Sequence, residues 1–251
     1  MRAAGASRTP ADSSGISRMT TTVIKPRITP RAEDTRRKIY EAAMELFREK
    51  GFEETTMRDI AAKAGVALGG TYYYYSSKDA IVLAFYHEMQ ESSTAFVSEA
   101  LAGRKKLKDR LGAVIDQRLR LLEPNRKFCA ALFRHAPDRA DPLSPFSDET
   151  RLIRDAAIEQ MRTAMEGGDV KIPSDLKPQL PYLLWLYQMA LVMFWLYDRS
   201  PEQKRTRRLT DRSLGLLVNL LRMSSLPLMR PLRKTVLELT ELDKGEPAAS
   251  E

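Results

Sequence analysis

Apolar residues recur at helical spacing along most of the chain, whereas alternating apolar and polar runs bounded by hairpin turns do not appear. The first segment has one apolar stripe, formed by Ile39, Ala42, Ala43, Leu46 and Phe47. Asp34 stands at the position of an N-cap, and Gly51 stands where the chain would leave the helix through a left-handed residue. The pattern predicts an all-α fold that opens with this helix.

Two polar start signals divide the residues that follow. Thr56 and Asp59 have the spacing of a capping box, in which each side chain satisfies a backbone N–H group of the first turn. Ser76 and Asp79 repeat that spacing and predict the start of a fourth helix. Between the two signals a third helix is predicted from about Ala67 to about Tyr75, so that the N-terminal unit is small and helical.

The third predicted helix contains two adjacent glycines and ends in four consecutive tyrosines. Each glycine costs about 1 kcal/mol relative to alanine inside a helix. We interpret Gly69 and Gly70 as positions where the backbone comes close to a partner, because no Cβ stands between them. Tyr73 and Tyr75 are expected to be core or simply exposed rings.

A DNA duplex is a partner that suits the remaining side chains of this segment. Leu68 can contact a thymine methyl group, and Thr71 can reach a base edge through its hydroxyl or methyl group. Tyr72 and Tyr74 can donate hydroxyls to phosphates. A lysine at a helix start opposes the helix dipole, so Lys78 is expected to meet a phosphate.

Residues 35–86 resemble, without gaps, the N-terminal domain of the TetR family of transcriptional regulators. The matching positions are Thr56, Ile60, Ala61, Ala64, Gly65, Val66, Gly69, Tyr72, Tyr74, Ser77, Lys78, Asp79 and Ile81. The chain departs from the family pattern at a usual Ser, a usual large apolar residue and a usual Phe, which are Ala67, Thr71 and Tyr75 here.

The resemblance implies a helix-turn-helix whose second helix lies in the major groove of DNA. By matching position it implies DNA contacts from Thr56, Gly69, Tyr72, Tyr74 and Lys78. The complete predicted DNA-binding set is Thr56, Arg58, Ala67, Leu68, Gly69, Gly70, Thr71, Tyr72, Tyr74 and Lys78.

The predicted organisation has four parts. Residues 1–33 form a disordered basic arm, with Met19 as a second candidate start, and residues 34–80 form the helix-turn-helix head. The arm is either a plain extension or a tail that adds phosphate or minor-groove contacts. Residues 81–225 form a helical body for effector binding and dimerisation, and residues 226–251 form a short helix and a disordered tail.

The most hydrophobic segment, Leu180 to Asp198, approaches the length of a membrane span. Gln188 in its middle and Pro181 at its start favour a helix buried in protein instead. This helix and the one from about Pro201 to Met223 carry more apolar surface than a body of this size needs. Together with the resemblance, the surplus predicts a homodimer through residues 178–223, which would read a palindromic operator.

The resemblance also implies an effector cavity in the body. The candidate lining residues are Phe128, Phe133, Tyr187, Met189, Met193 and Trp195, although side chains at this spacing are also typical of an ordinary core. Their apolar character predicts a lipophilic small molecule rather than a charged one.

Composition narrows the remaining classes. The 251 residues carry a formal net charge of +8, which is compatible with a nucleic-acid partner. A single cysteine, Cys129, fits a reducing cytoplasm, and the two histidines do not have metal-ligand spacing. Because paired carboxylates, a nucleophile elbow and a phosphate loop are also missing, the sequence predicts no enzyme, no cofactor and no metal site.

The interpretation is a cytoplasmic, dimeric, ligand-responsive repressor that resembles the TetR family. Two alternatives stay open from the sequence. One is a constitutive DNA-binding regulator or activator without an effector, and the other is a membrane-associated helical protein anchored by residues 180–197.

Overall fold

The computed structural model describes residues 29–242, so the predicted arm up to residue 28 and the tail beyond residue 242 lie outside the described residues. Within that range the fold is all-α, as predicted, and short 3-10 turns join some of the helices. The α-helices are α1 (Pro30–Glu49), α2 (Met57–Ala64), α3 (Leu68–Tyr74), α4 (Lys78–Leu101), α5 (Leu107–Leu122), α6 (Arg126–Leu132), α7 (Arg151–Glu166), α8 (Leu180–Tyr197), α9 (Lys204–Ser224) and α10 (Arg230–Leu242).

Two predicted helix starts are wrong by a few residues. The first helix begins at Pro30, where Thr29 accepts a hydrogen bond from the Ala32 N–H group and proline occupies the first turn. The predicted cap, Asp34, lies inside the helix and pairs with Lys38 at 2.8 Å, so residues 30–33 belong to the helix and not to an arm. The fourth helix is capped by Ser77 through the Ala80 N–H group, and not by Ser76.

Helices α1 to α3 and the first turns of α4 form the head around a small buried core. Gly51 has φ of 95°, as the helix-end prediction required, and the chain turns back there. The Phe52 ring then packs edge-on against Phe47, with centroids 5.3 Å apart. Because α4 continues from this core for 24 residues into the body, it crosses the predicted boundary at residue 80 without a break.

Two clusters of buried side chains fill the molecule. One lies among α5, α7, α8, α9 and the end of α4. The other unites the head with α6, the start of α4 and the end of α8. Phe128 of α6 is central to the second cluster, since its ring stacks on Phe47 of α1 at 5.1 Å and meets Phe85 of α4 at 5.3 Å.

Helix α8 is the one described helix whose length and composition would allow it to cross a membrane. Half of its residues are buried against α5, α6, α7 and α9, so its apolar character is largely that of a core helix. Its outer face carries a stripe of exposed residues at helical spacing, namely Ala190, Met193, Phe194 and Tyr197.

Candidate DNA-reading head and ligand cavity

Helices α2 and α3 are joined by a tight turn that the sequence specifies locally. Gly65 adopts the left-handed conformation at φ 65°, and the Val66 N–H group returns to the Ala61 carbonyl at 3.0 Å. Helix α3 then starts at Leu68 without any side-chain cap, because Ala67 has no acceptor to offer. A seven-residue helix with two glycines and no cap has little stability of its own, so packing against α2 holds it in place.

One face of α3 points away from the protein. Leu68, Gly69, Tyr72 and Tyr73 are exposed, and Tyr73 has 83% of its surface accessible. Tyr74 is half-buried with its ring edge-on to Tyr73, and Tyr75 is buried beneath the guanidinium of Arg36. Tyr75 is therefore a core residue and Tyr73 an exposed ring, as expected, whereas the phosphate contact of the exposed Tyr72 stays a prediction.

Thr71 and Gly70 do not have the roles that the sequence suggested. Thr71 is fully buried and its hydroxyl donates back to the Ala67 carbonyl at 3.3 Å, so the predicted base contact is wrong. A Cβ added at Gly70 would lie 3.1 Å from Val66, so this glycine allows packing inside the head. A Cβ at Gly69 would meet nothing within 4 Å, and only Gly69 remains as a site of close external approach.

The predicted capping box at the start of α2 is confirmed in detail. Thr56 accepts a hydrogen bond from the Asp59 N–H group, and its own N–H and hydroxyl groups donate to the Asp59 carboxylate at 2.8 and 2.7 Å. Hydrogen bonds from Lys50 and Thr56 hold the pKa of Asp59 well below its usual range. The Thr56 hydroxyl is thus committed to the cap, whereas Arg58 beside it is exposed and forms no ion pair with any residue in 29–242.

Lys78 has an internal role that sequence spacing did not reveal. Its Nζ atom donates to the carbonyl of Phe52 at 2.8 Å and to that of Glu53 at 3.3 Å, and it lies 4.5 Å from the centre of the Phe52 ring. These contacts fasten the start of α4 to the loop between α1 and α2. These contacts account for a lysine at the start of α4 without requiring a contact to a DNA phosphate.

The body contains a mainly apolar cavity of about 150 Å³. Its wall comes from α4, α5, α6, α7 and α8 and from the loop before α7. Two of the predicted lining residues, Phe133 and Met189, do line it. The structure therefore has a cavity where the resemblance implied one, with a largely different set of side chains.

Four predicted lining residues are not in the wall of this cavity. Phe128 is buried in the cluster that joins head and body, and Trp195 is buried under the guanidinium of Arg126. Tyr187 turns toward α9, where its hydroxyl meets Ser213 at 2.7 Å, and Met193 is on the exposed face of α8. A strongly apolar helix gives no periodic signal for which side faces a cavity.

The cavity also has polar lining residues that the sequence did not predict, among them Gln90, Arg118, Arg154 and Gln188. The available signal was Arg118, which stands at helical spacing on the stripe of Leu111, Ile115 and Leu122, where an apolar residue is expected. Burial raises the pKa of Cys129, another lining residue, to about 12, so that its thiol stays protonated. Among the described residues no group of three potential ligands could hold a metal ion.

Two family models match this chain. One, described as bacterial regulatory proteins of the tetR family, matches residues 39–85, and the other, described as a tetracyclin repressor-like C-terminal domain, matches residues 110–239. Similar curated proteins include the HTH-type transcriptional regulators YfiR of Bacillus subtilis, 42% identical over 57 residues, and UidR of Escherichia coli, 33% identical over 72 residues. These matches cover 22% and 29% of this chain and only 28% and 37% of the relatives.

Solved structures extend the likeness to the whole fold. A putative TetR-family transcriptional regulator from Syntrophomonas wolfei is similar with a TM-score of 0.54 and 20% identity, over 78% of this chain and 98% of that one. The transcriptional regulator FadR from Bacillus subtilis, solved in complex with stearoyl-CoA, is similar with a TM-score of 0.53 and 19% identity, over 72% and 97%.

The two glycines of α3 give a matched pair of substitutions. Gly69→Ala is expected to raise the free energy of unfolding by about 0.5–1 kcal/mol, because it restores helix propensity where a methyl group meets nothing. Gly70→Ala is expected to gain less or to lose stability, because the methyl group presses on Val66. Chemical denaturation of the two variants measures the difference. Equal changes would contradict the separate roles of the two glycines.

Proposed function

Because the chain belongs to the TetR family of transcriptional regulators, we propose that it is a homodimeric repressor that a small ligand in the body cavity releases from its DNA operator. Membership of the family by itself makes the chain a helix-turn-helix transcriptional regulator. Operator binding, repression, effector release and a cytoplasmic location are the proposed parts.

The observation that carries the proposal is the outward face of α3. A helix that is short, uncapped and glycine-containing is poor for stability, yet it presents Leu68, Gly69, Tyr72 and Tyr73 to solvent. Large exposed tyrosines around a bare backbone suit a groove lined with phosphates. Arg58, exposed and without an ion pair in the described part of the chain, adds a positive charge on the neighbouring helix.

A second copy of the chain is proposed to cover the apolar face of α8 and α9. On α8 the face consists of Ala190, Met193, Phe194 and Tyr197, and on α9 of Leu209, Leu216, Leu220 and Met223. Exposed apolar stripes on two neighbouring helices are uncommon on monomers and favour a docking site. A two-fold axis through it would set two heads side by side, as reading two half-sites requires.

The route from cavity to head is proposed to run through α4 and α6. Phe85 of α4 and Cys129 and Leu132 of α6 line the cavity, while Phe128, one turn before Leu132 on α6, stacks on Phe47 of α1. A ligand that displaces α4 and α6 would therefore tilt the head without touching it. Family regulators with ligand complexes, such as FadR with stearoyl-CoA, support this kind of control.

The alternative of a constitutive regulator or activator without an effector keeps the same DNA contacts. The two proposals differ in the role of the cavity, which in a regulator without an effector would be only a packing defect. The polar groups in the wall, described below, favour a ligand site.

Removal of the Tyr72 hydroxyl tests the DNA-reading face. Tyr72→Phe is expected to lower operator affinity on the order of tenfold, since a hydrogen bond to a charged phosphate contributes about 1.5–3 kcal/mol. The measurement is fluorescence anisotropy on DNA from upstream of the protein's own gene and on a scrambled duplex, over a salt series.

The matched control is Tyr187→Phe, which deletes a hydroxyl of the body that bonds to Ser213 and is expected to leave DNA affinity unchanged. Wild-type affinity that does not depend on sequence would place the operator elsewhere. Full affinity in Tyr72→Phe would contradict the assigned face.

A charge on the apolar face tests the dimer. Leu216→Glu is expected to yield a monomer by light scattering at micromolar concentration, because pairing would bury two carboxylates in an apolar interface. Leu152→Glu, at a leucine of α7 that is equally exposed but outside this face, is the control and should stay dimeric. A monomeric wild type, or a dimeric Leu216→Glu, would overturn the proposed interface.

A further inference from the structure

The chemistry of the cavity wall limits which ligand it can take. Most of the wall is aromatic and aliphatic, from Phe85, Leu122, Leu132, Trp185 and Val192 among others. The volume of about 150 Å³ is comparable to that of an apolar cavity known to bind benzene. The fitting ligand body is therefore apolar and about the size of one substituted ring.

A guanidinium group enters this apolar space from α5. Arg118 donates through Nη2 to the side-chain carbonyl of Gln90 at 2.6 Å and, more weakly, to that of Gln160 at 3.4 Å. Its Nε and Nη1 groups make no hydrogen bond within residues 29–242, and none of the residues that line the cavity is a carboxylate. Burial lowers the pKa of Arg118 to about 10, so the group is charged at neutral pH, and no carboxylate within residues 29–242 forms an ion pair with it.

Neighbouring side chains hold the two amides in this orientation. Gln160 receives a hydrogen bond from Ser93 at 3.1 Å and donates its own amide to Thr94 at 3.0 Å. The Gln90 amide also donates to Thr94, at 3.4 Å. Both amides donate to Thr94, so their carbonyl oxygens face Arg118, and the oxygen of Gln160 accepts from Ser93 as well. Arg118 is therefore fixed in place but not neutralised.

Arg154 contributes a second positive charge to the wall from α7. Its Nη1 atom donates to the carbonyls of Pro145 and Ser147 at 2.9 and 3.0 Å, which ties the preceding loop to the helix. As with Arg118, no carboxylate among the described residues forms an ion pair with it. Two arginines without an ion pair among the described residues therefore line one mainly apolar cavity, whereas charges withdrawn from water in proteins are normally paired.

Gln188 provides an independent sign that the cavity suits a polar acceptor. It lies in the middle of α8, is 3% exposed and lines the cavity. Its Nε2 donor has no hydrogen-bond partner in the part of the chain that the structure describes. A buried donor left without an acceptor is destabilising, so an acceptor inside the cavity would offset that cost.

We propose that the cavity binds a small organic carboxylate, with its apolar body among the aromatic side chains and its carboxylate toward Arg118 and Gln188. This inference rests on the proposed function, because it names the effector class of that regulator. A neutral lipophilic ligand would leave the guanidinium without a counter-ion, and an amine would face two like charges. This ligand, an amphipathic anion, differs from the uncharged lipophilic molecule that the sequence predicted.

Matched acid and amide pairs test the ligand class directly. The probes are benzoate and benzamide, phenylacetate and phenylacetamide, and octanoate and octanamide, titrated into the full-length protein at neutral pH in a calorimeter. At least one acid is expected to bind with a Kd below about 1 mM, and its amide at least about tenfold more weakly. Failure of all three acids to bind, or equal binding of an acid and its amide, would overturn the proposal.

Substitution of Arg118 shows whether the preference arises where the structure places it. Arg118→Met is expected to abolish the acid preference, and its fold should survive because an apolar side chain of similar length suits a buried site. Gln188→Leu, which removes the unpartnered amide, is expected to weaken the acid but not the amide and serves if Arg118→Met does not fold. Arg162→Met, at a partly exposed arginine of α7 that pairs with Glu159 and does not line the cavity, is the control and should keep the wild-type preference.

The operator affinity of the ligand-free protein distinguishes failure of the ligand proposal from failure of the proposed DNA-binding function. Operator binding by a protein that binds none of the acids would contradict the carboxylate proposal and support the DNA-binding function. Acid binding by a protein that binds no DNA would support the carboxylate site and contradict the proposed DNA-binding function.

Discussion

The stacking of Phe128 on Phe47 is the contact on which the rest of the structure depends. It places a side chain of α6 inside the core of the head, so head and body share one buried cluster instead of two separate ones. Phe85 of α4 completes the contact from the other side. A head held in this way cannot change its tilt without repacking side chains of the body, because close-packed cores transmit displacement.

The same cluster forms one wall of the cavity, so only a short path of packed side chains separates the cavity from the head. Cys129 and Leu132 follow Phe128 on the same helix and face the cavity. The Arg126 side chain anchors the start of α6 to the end of α8, donating to the Trp195 carbonyl at 2.6 Å. Helix α6 is thus fixed at its start, and a ligand in the cavity would contact it at Cys129 and Leu132. A coupling of about 1–3 kcal/mol, typical of allosteric proteins, would need only a small difference in this packing.

Hydrophobic periodicity predicted the all-α class and nearly every helix, because apolar stripes and glycine ends are local signals. It misplaced two helix starts, since several polar residues near a start can each act as a cap and only tertiary packing selects among Asp34 and its neighbours. The outward face of α3 was partly predictable, but the burial of Thr71 depends on contacts with α2. The cavity wall was the least predictable part, because α8 is apolar on all sides and only Arg118, a charge on an apolar stripe, pointed to it.

Amide hydrogen exchange on Phe128→Leu tests most directly whether head and body form one cooperative unit. The account predicts that protection falls together in α1, α4 and α6, on the order of tenfold, because the substitution removes the ring that all three helices share. Loss of protection confined to α6, with α1 unchanged, would contradict the shared core and with it the proposed route from cavity to DNA.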